Sequence, residues 1–465
     1  MDERKKLIYN ACEPNLPATA QYYADCRTAR GGEALTGQII KRLKMSSSAQ
    51  HLRFLFTGHI GSGKSSELLH LVTKLDDTVF FPIYIDFKDY LDEEDTKLED
   101  IFLAMMFEIG YSLRDKMAAN ASMVQWSQEK LTNSYIGGLV RKAKDYIVSE
   151  AEVDDVEIGL PFDIAKVKLK RLKQNPTARQ IIHEAIRTER TSLLAELNIL
   201  ILQAELFLKQ NTSFTNIILI ADGLEKIEKF DGQQRGLESH RQLFIESQTQ
   251  LTGIEAHIVY TIPLSLYRSY NDAPKLAQYY GKDSFVLPMV KIHKRGNFAE
   301  PYTIGREALK IVLGKRLREI SLVDAFNADA LEHLIIYSGG SIRNLLRFVQ
   351  EAVVAVDDLP VDFAAARESV GGSVRAFAAS VKENRWKKLA TLELSPHQQI
   401  ENGDEDYSFL LENTTVLEYR NGRDESQRDD EDNVWYAVNP VIRRTLKFRD
   451  AVAKAKTEAA THPQT

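Results

Sequence analysis

Only two cysteines, Cys12 and Cys26, occur in 465 residues, so no disulfide framework holds this chain, and no Cys/His cluster shows zinc spacing. Such scarcity fits reduced thiols in a cytosolic protein. Long apolar runs are also missing. The most apolar stretch, LLAELNILILQAELFL, carries two glutamates in an amphipathic rhythm and reads as a packed helix, not a membrane span. The opening MDERKKLIYNACEP has no apolar core segment, which speaks against a secretory signal. No strong charge bias exists either. A net charge of −6 speaks mildly against nonspecific coating of nucleic acid, although a local basic patch stays compatible with it. No internal repeat is visible. At 44% hydrophobic and 27% charged residues the composition is that of a globular protein, and the length calls for two or three domains.

What is present is the stretch FLFTGHIGSGKSSELLHL, Phe54 to Leu71. Gly58-His59-Ile60-Gly61-Ser62-Gly63-Lys64-Ser65 fits G-x-x-x-x-G-K-[ST] without mismatch, after an apolar run and before apolar residues at helical spacing. That context predicts a strand, a phosphate-binding turn and a helix. Glycines let successive N–H groups face an anion, and the helix directs its positive end at the same place. Lys64 is expected to reach the β and γ phosphates of ATP, and Ser65 to give an oxygen to Mg2+. Ser66 is grouped with these phosphate-side residues.

A second acidic strand is expected in TNIILIADGLEKIEKF, where the buried run Ile217 to Ile220 ends in Ala221 and Asp222. Asp222 is the candidate magnesium-side carboxylate. Glu225 either orients the attacking water or offsets a helix dipole in a first turn. Further strands are expected over Thr78 to Phe87, Ala256 to Leu264 and Ser284 to Ile292, alternating with helices. The fold class that follows is α/β, a doubly wound parallel P-loop sheet. Ligands on such sheets sit at the carboxyl ends of strands, where Gly58, Asp222 and Thr261 fall.

The order P-loop, IDF strand, IILIADGLEKI, IVYT and a helical lid ending YSGGSIRNLLRFVQEA resembles AAA+ ATPases, in the clade joining origin-recognition initiators with STAND signalling ATPases. The resemblance spans about Tyr23 to Gln350. It implies that Thr261 takes the sensor-1 position and touches the γ-phosphate or the water, and that Arg343 takes the sensor-2 position over the nucleotide. It also implies base or ribose contacts from Tyr23, Arg27 and Arg30, with packing of that arm onto the sheet as the alternative. Gly223 stands where many AAA+ proteins carry a glutamate, and Ile262-Pro263 follow Thr261 where many STAND proteins carry an arginine. Both departures imply slow, switch-like hydrolysis. Arg268 is the candidate trans-acting arginine, with a solvated helix residue as the alternative.

The chain is expected to divide into an N-terminal arm (1–50), a P-loop domain (51–295) with an insertion at about 100–210, a helical lid (296–360), a winged-helix-like domain (361–455) and a disordered tail (456–465). In the insertion, period-two alternation puts Lys166, Lys168 and Lys170 on one face of an extended arm. They either track nucleic-acid phosphate or guard an edge strand, and the lack of interleaved aromatics favours the guard or a partner contact. The wing segment Arg423 to Asp432 holds six acids against two arginines, the wrong sign for phosphate, while Arg443, Arg444, Lys447 and Arg449 form a basic cluster.

Three functional readings emerge. The first is a cytoplasmic ATP-dependent switch, using ATP and Mg2+, that controls its own homo-oligomeric assembly or an effector protein; the resemblance implies a place in bacterial signalling or defence. The second is a DNA-binding initiator or transposition regulator. The third is a small-molecule kinase, for which the lid and winged tail are superfluous. An ATP-dependent gel shift with a steep salt slope is the expected signature of the second, and no shift that of the first.

Overall fold

The computed structural model describes residues 2–46, 50–75, 78–116, 190–228, 236–281, 284–401, 403–422 and 433–461, with Gln125 and Phe230 besides. The lysine-bearing arm and the acidic wing lie outside these described residues.

Five strands, β1 (Arg53–Gly58), β2 (Phe80–Asp86), β3 (Asn216–Asp222), β4 (His257–Thr261) and β5 (Ser284–Leu287), form one parallel sheet in the order β2-β3-β4-β1-β5. Successive side chains point to opposite faces. Leu55, Ile217, Leu219, Ile258 and Tyr260 enter one core with the helices Leu98–Lys116 and Arg190–Asn211. Phe54, Phe56, Ile218, Ile220 and Val259 enter another with the helices Leu35–Met45 and Lys64–Leu75. Cover on both faces is why these strands read as unbroken apolar runs. The result is an α/β, doubly wound parallel sheet. β5 is shorter than the run Ser284 to Ile292, because Pro288 has no N–H to extend the ladder. Pro82 is accommodated within β2 because that strand is the sheet edge.

A small antiparallel hairpin, β6 (His293–Lys294) and β7 (Asn297–Pro301), leads out of the sheet. The lid follows: helices Thr303–Leu317, Ala328–Ser338 and Ile342–Ala355 share a core through Leu313, Leu334, Leu345 and Val349. Two expected boundaries move. The helix Phe363–Ser380 belongs to the lid and not to the next domain, because Ala365, Ala366 and Val370 pack into the lid core. The N-terminal arm is not one unit: Ile8, Cys12 and Cys26 join the lid core, while Leu35, Ile39 and Leu43 cover the sheet.

The C-terminal domain sets helices Arg385–Leu394, Glu405–Glu412 and Leu446–Thr461 around a hairpin of β8 (Val416–Arg420) and β9 (Val434–Val438), a winged-helix arrangement with Trp386, Leu410, Val438 and Phe448 at its centre. Its last helix continues to Thr461, so the expected disordered tail is helical from Lys456 to Thr461; alanine, lysine and glutamate favour helix even where exposed. Among the described residues no helix is long and apolar enough to cross a membrane.

Four histidines, His59, His240, His257 and His293, are buried, and burial pushes each down to about 4. Unfolded histidine titrates near 6.5, so on acidification the unfolded chain takes these protons first. The stability they confer is complete above about pH 6.5 and disappears as pH falls towards 4. Urea midpoints are expected to drop steadily across that window; midpoints independent of pH there contradict the burial.

Candidate functional site

β1 delivers Gly58 at its carboxyl end, and the helix Lys64–Leu75 leaves the turn on the far side. Gly58 and Gly61 adopt φ of 151° and 83°. A Cβ on Gly58 would stand 2.4 Å from the Leu287 carbonyl, and one on Gly61 2.6 Å from Ser341 Oγ and 2.9 Å from Arg343 Cβ. Glycine is therefore dictated by backbone conformation and by close neighbours. The neighbours at Gly61 belong to the lid, whose helix Ile342–Ala355 begins there, capped by Ser341. Arg343 N–H donates to the Gly61 carbonyl at 3.3 Å.

Lys64 is buried. Its ammonium donates to the carbonyls of Gly58 at 3.0 Å and His59 at 3.2 Å, and pairs with Glu225 Oε1 at 3.2 Å. Burial by itself pushes the Glu225 carboxyl up, but the Lys64 and Lys226 charges outweigh it and hold the group at about 2. Glu225 is thus a carboxylate at neutral pH, and its Oε2 has no hydrogen-bond partner. Asp222 ends β3 and is buried. Its Oδ2 accepts from the Tyr84 hydroxyl at 2.6 Å, its Oδ1 has no hydrogen-bond partner, and the Ser65 hydroxyl lies beside it. Burial and the Glu225 charge push the Asp222 carboxyl up.

Magnesium fits this set. The oxygens of Ser65 and Asp222 converge, and an orphaned buried carboxylate oxygen is one that a hydrated cation would satisfy. Among the described residues no cluster of three His, Cys, Asp or Glu could hold a metal unaided, so such an ion would depend on phosphate oxygens as well.

The structure brings Gly61, Gly63, Lys64, Ser65, Ser66, Glu225 and Arg343 to one cleft between sheet and lid, with Ile60 at its rim. Other expected residues take different places. Thr261 braces the backbone: its Oγ1 accepts the Gly223 N–H at 2.9 Å, and its single proton goes to the Ala221 carbonyl at 3.2 Å or to Glu225 beside it. It sets the β3 turn that carries Glu225. Tyr23 lies outside this cleft. Its ring stacks on His70 at 3.9 Å, its hydroxyl donates to Glu67, and it lines a separate cavity with Arg27. Arg30 supports the turn from outside, donating to the Ser62 carbonyl at 2.5 Å. The Ser66 hydroxyl accepts the Ala18 N–H, tying down the N-terminal arm. The His59 ring points away from the cleft into the C-terminal domain. Arg268 is no free finger, because Glu418 binds it at 2.6 and 2.9 Å within the same chain.

Three features escaped sequence reasoning. Pro14 to Pro17 form the apolar end of the cleft with Ile342 and Leu346, held by Arg316 donating to the Leu16 carbonyl at 2.7 Å. The EPNLP segment was a visible signal. Asp86 pairs in register with Asp222 and also lines the cleft; an apolar run ending in aspartate recurs there. Tyr84 gave no signal, since a strand tyrosine is ordinary core.

No family model matches this chain, and no curated protein matches its sequence. Among solved structures, Cdc6p from Pyrobaculum aerophilum superposes with a TM-score of 0.39 at 12% identity, covering 96% of this chain and 98% of that one. A Walker-type ATPase of Pyrococcus abyssi does so with a TM-score of 0.43 at 13% identity, covering 93% and 98%. At such values neither assigns a family or an activity to this chain.

Lys64→Ala leaves the Glu225 carboxylate buried beside Asp222 with one compensating charge fewer. The loss is expected to cost about 3–5 kcal/mol in urea unfolding without nucleotide, largely recovered by adding Glu225→Gln. Equal stability of the wild type and Lys64→Ala contradicts this.

Proposed function

We propose that this chain is an ATP-binding, slowly hydrolysing conformational switch of AAA+ type. The observation that supports it most is the buried Lys64 ammonium shared between the phosphate turn and Glu225, with Ser65 and the lid residue Arg343 lining the same cleft and Asp222 buried behind Ser65. A polyphosphate entering between sheet and lid competes with Glu225 for Lys64. Glu225, ionised and with one oxygen unpartnered, is then placed to orient water for attack. Magnesium, held by Ser65 and Asp222, would neutralise charge between the β and γ phosphates. Pro14 to Pro17 and Leu346 offer the apolar wall a base needs. Gly223, Pro263 and the committed Arg268 leave few groups to speed the reaction, which favours a timed switch over a motor. Its output would be assembly with further copies or contact with an effector protein, in the manner of STAND relatives.

The second reading is a DNA-binding initiator-type ATPase. Of the basic cluster, Arg443 pairs with Glu393, Arg444 lies over the Tyr337 ring, and Lys447 pairs with Glu383. Arg443 and Arg444 are thus engaged within the chain, while Lys447 and Arg449 are exposed and form the part of the cluster open to phosphate.

Glu225→Gln is expected to keep ATP binding and lower phosphate release by about 100-fold or more. Thin-layer analysis of the wild type should show ADP and free phosphate with no phosphorylated acceptor. Unchanged turnover removes Glu225 from catalysis, and a labelled acceptor would make the protein a kinase.

A further inference from the structure

The second residue of the phosphate turn is gripped by the C-terminal domain. His59 is buried against β8, where its Nε2 accepts the Glu418 N–H at 2.7 Å and its Nδ1 stands 3.1 Å from the Leu411 carbonyl. Acceptance at Nε2 leaves the ring proton on Nδ1, which donates to Leu411; the neutral ring satisfies both partners. Glu418 is fixed on its other sides as well. Its carbonyl accepts the Met289 N–H at 3.0 Å beyond the end of β5, and its carboxylate holds Arg268. Both backbone groups of Glu418 therefore point away from β9, and the outer edge of the two-stranded hairpin is closed there by the His59 ring and the Met289 N–H. The same His59 supplies a carbonyl to the Lys64 ammonium at 3.2 Å. One residue thus touches the charge that meets phosphate with its backbone and β8 with its ring.

We infer that His59 and β8 form a latch by which the occupant of the phosphate turn sets the position of the C-terminal domain. His59 is a positioning residue here, and the inference rests on reading the turn as an ATP site. When phosphate draws Lys64 from the turn carbonyls, the His59 backbone shifts, and its ring must carry β8 along or release the Glu418 N–H. Through Glu418 the movement reaches Arg268 and the exit of β5, and through Tyr419, whose hydroxyl donates to the Gly339 carbonyl at 2.8 Å, it reaches the lid.

Hydrogen exchange over Val416 to Arg420 in the full-length protein tests the latch, with His59→Phe as a variant that keeps a ring but neither bond. Without nucleotide, exchange at the Glu418 amide is expected to rise about tenfold or more in His59→Phe, with partial recovery in His59→Gln. In the wild type, ATP and ADP should give different exchange at β8, and His59→Phe should erase the difference. Equal exchange in the wild type and His59→Phe without nucleotide, or an ATP–ADP difference that survives the substitution, overturns the latch. A wild type that binds no ATP overturns the ATP reading instead, and the nucleotide-free comparison still decides whether His59 holds β8.

Discussion

The Lys64 ammonium and the Glu225 carboxylate stand 3.2 Å apart with almost no water around either, and neither charge can be left alone in that place. A buried pair of this kind constrains its surroundings. Glu225 must sit on a turn held rigidly enough to keep the distance, which Thr261 ensures by stitching β4 to the Asp222-Gly223 backbone. Lys64 must have further acceptors, which Gly58 and His59 supply. On the proposed reading, a phosphate that enters would replace one anion with another, so the lysine would stay compensated throughout. Exchange of partners, not simple addition of a charge, would then couple binding to motion of the Glu225 turn.

Around this pair three segments converge that are remote in sequence. The lid reaches Gly61 through Ser341 and Arg343, the N-terminal arm reaches Ser62 through Arg30, and the C-terminal hairpin reaches His59. The glycine-rich turn is therefore the junction of the molecule as well as its proposed ligand site. Packed junctions tend to have discrete arrangements and resist continuous deformation, so a small displacement at the turn is felt in whole domains.

Much of this was legible in the sequence where a single local rule governs. The turn announces itself because its glycines, lysine and serine answer one steric and electrostatic demand at fixed spacing. β3 was legible because burial on both faces leaves an unbroken apolar run ending at Asp222. The strands of the sheet and the hairpin β8–β9 follow from the same reasoning. What stayed hidden depends on tertiary partners. Thr261 looks like any strand threonine until the Gly223 N–H is found against it. Tyr23 carries an amphipathic ring that suits a base, yet His70 claims it. Arg268 reads as a candidate trans-acting arginine or else a solvated helix residue, and Glu418, 150 positions away, holds it. His59 fills a position where the motif accepts any residue, so nothing local marks its ring as a bridge.

Calorimetric titration of Mg-ATP into the wild type and into Glu225→Gln probes the competition at Lys64 most directly. If phosphate and Glu225 share one ammonium, neutralising the carboxylate removes the competitor, and ATP should bind the variant about tenfold more tightly. Equal or weaker affinity in Glu225→Gln would contradict the account.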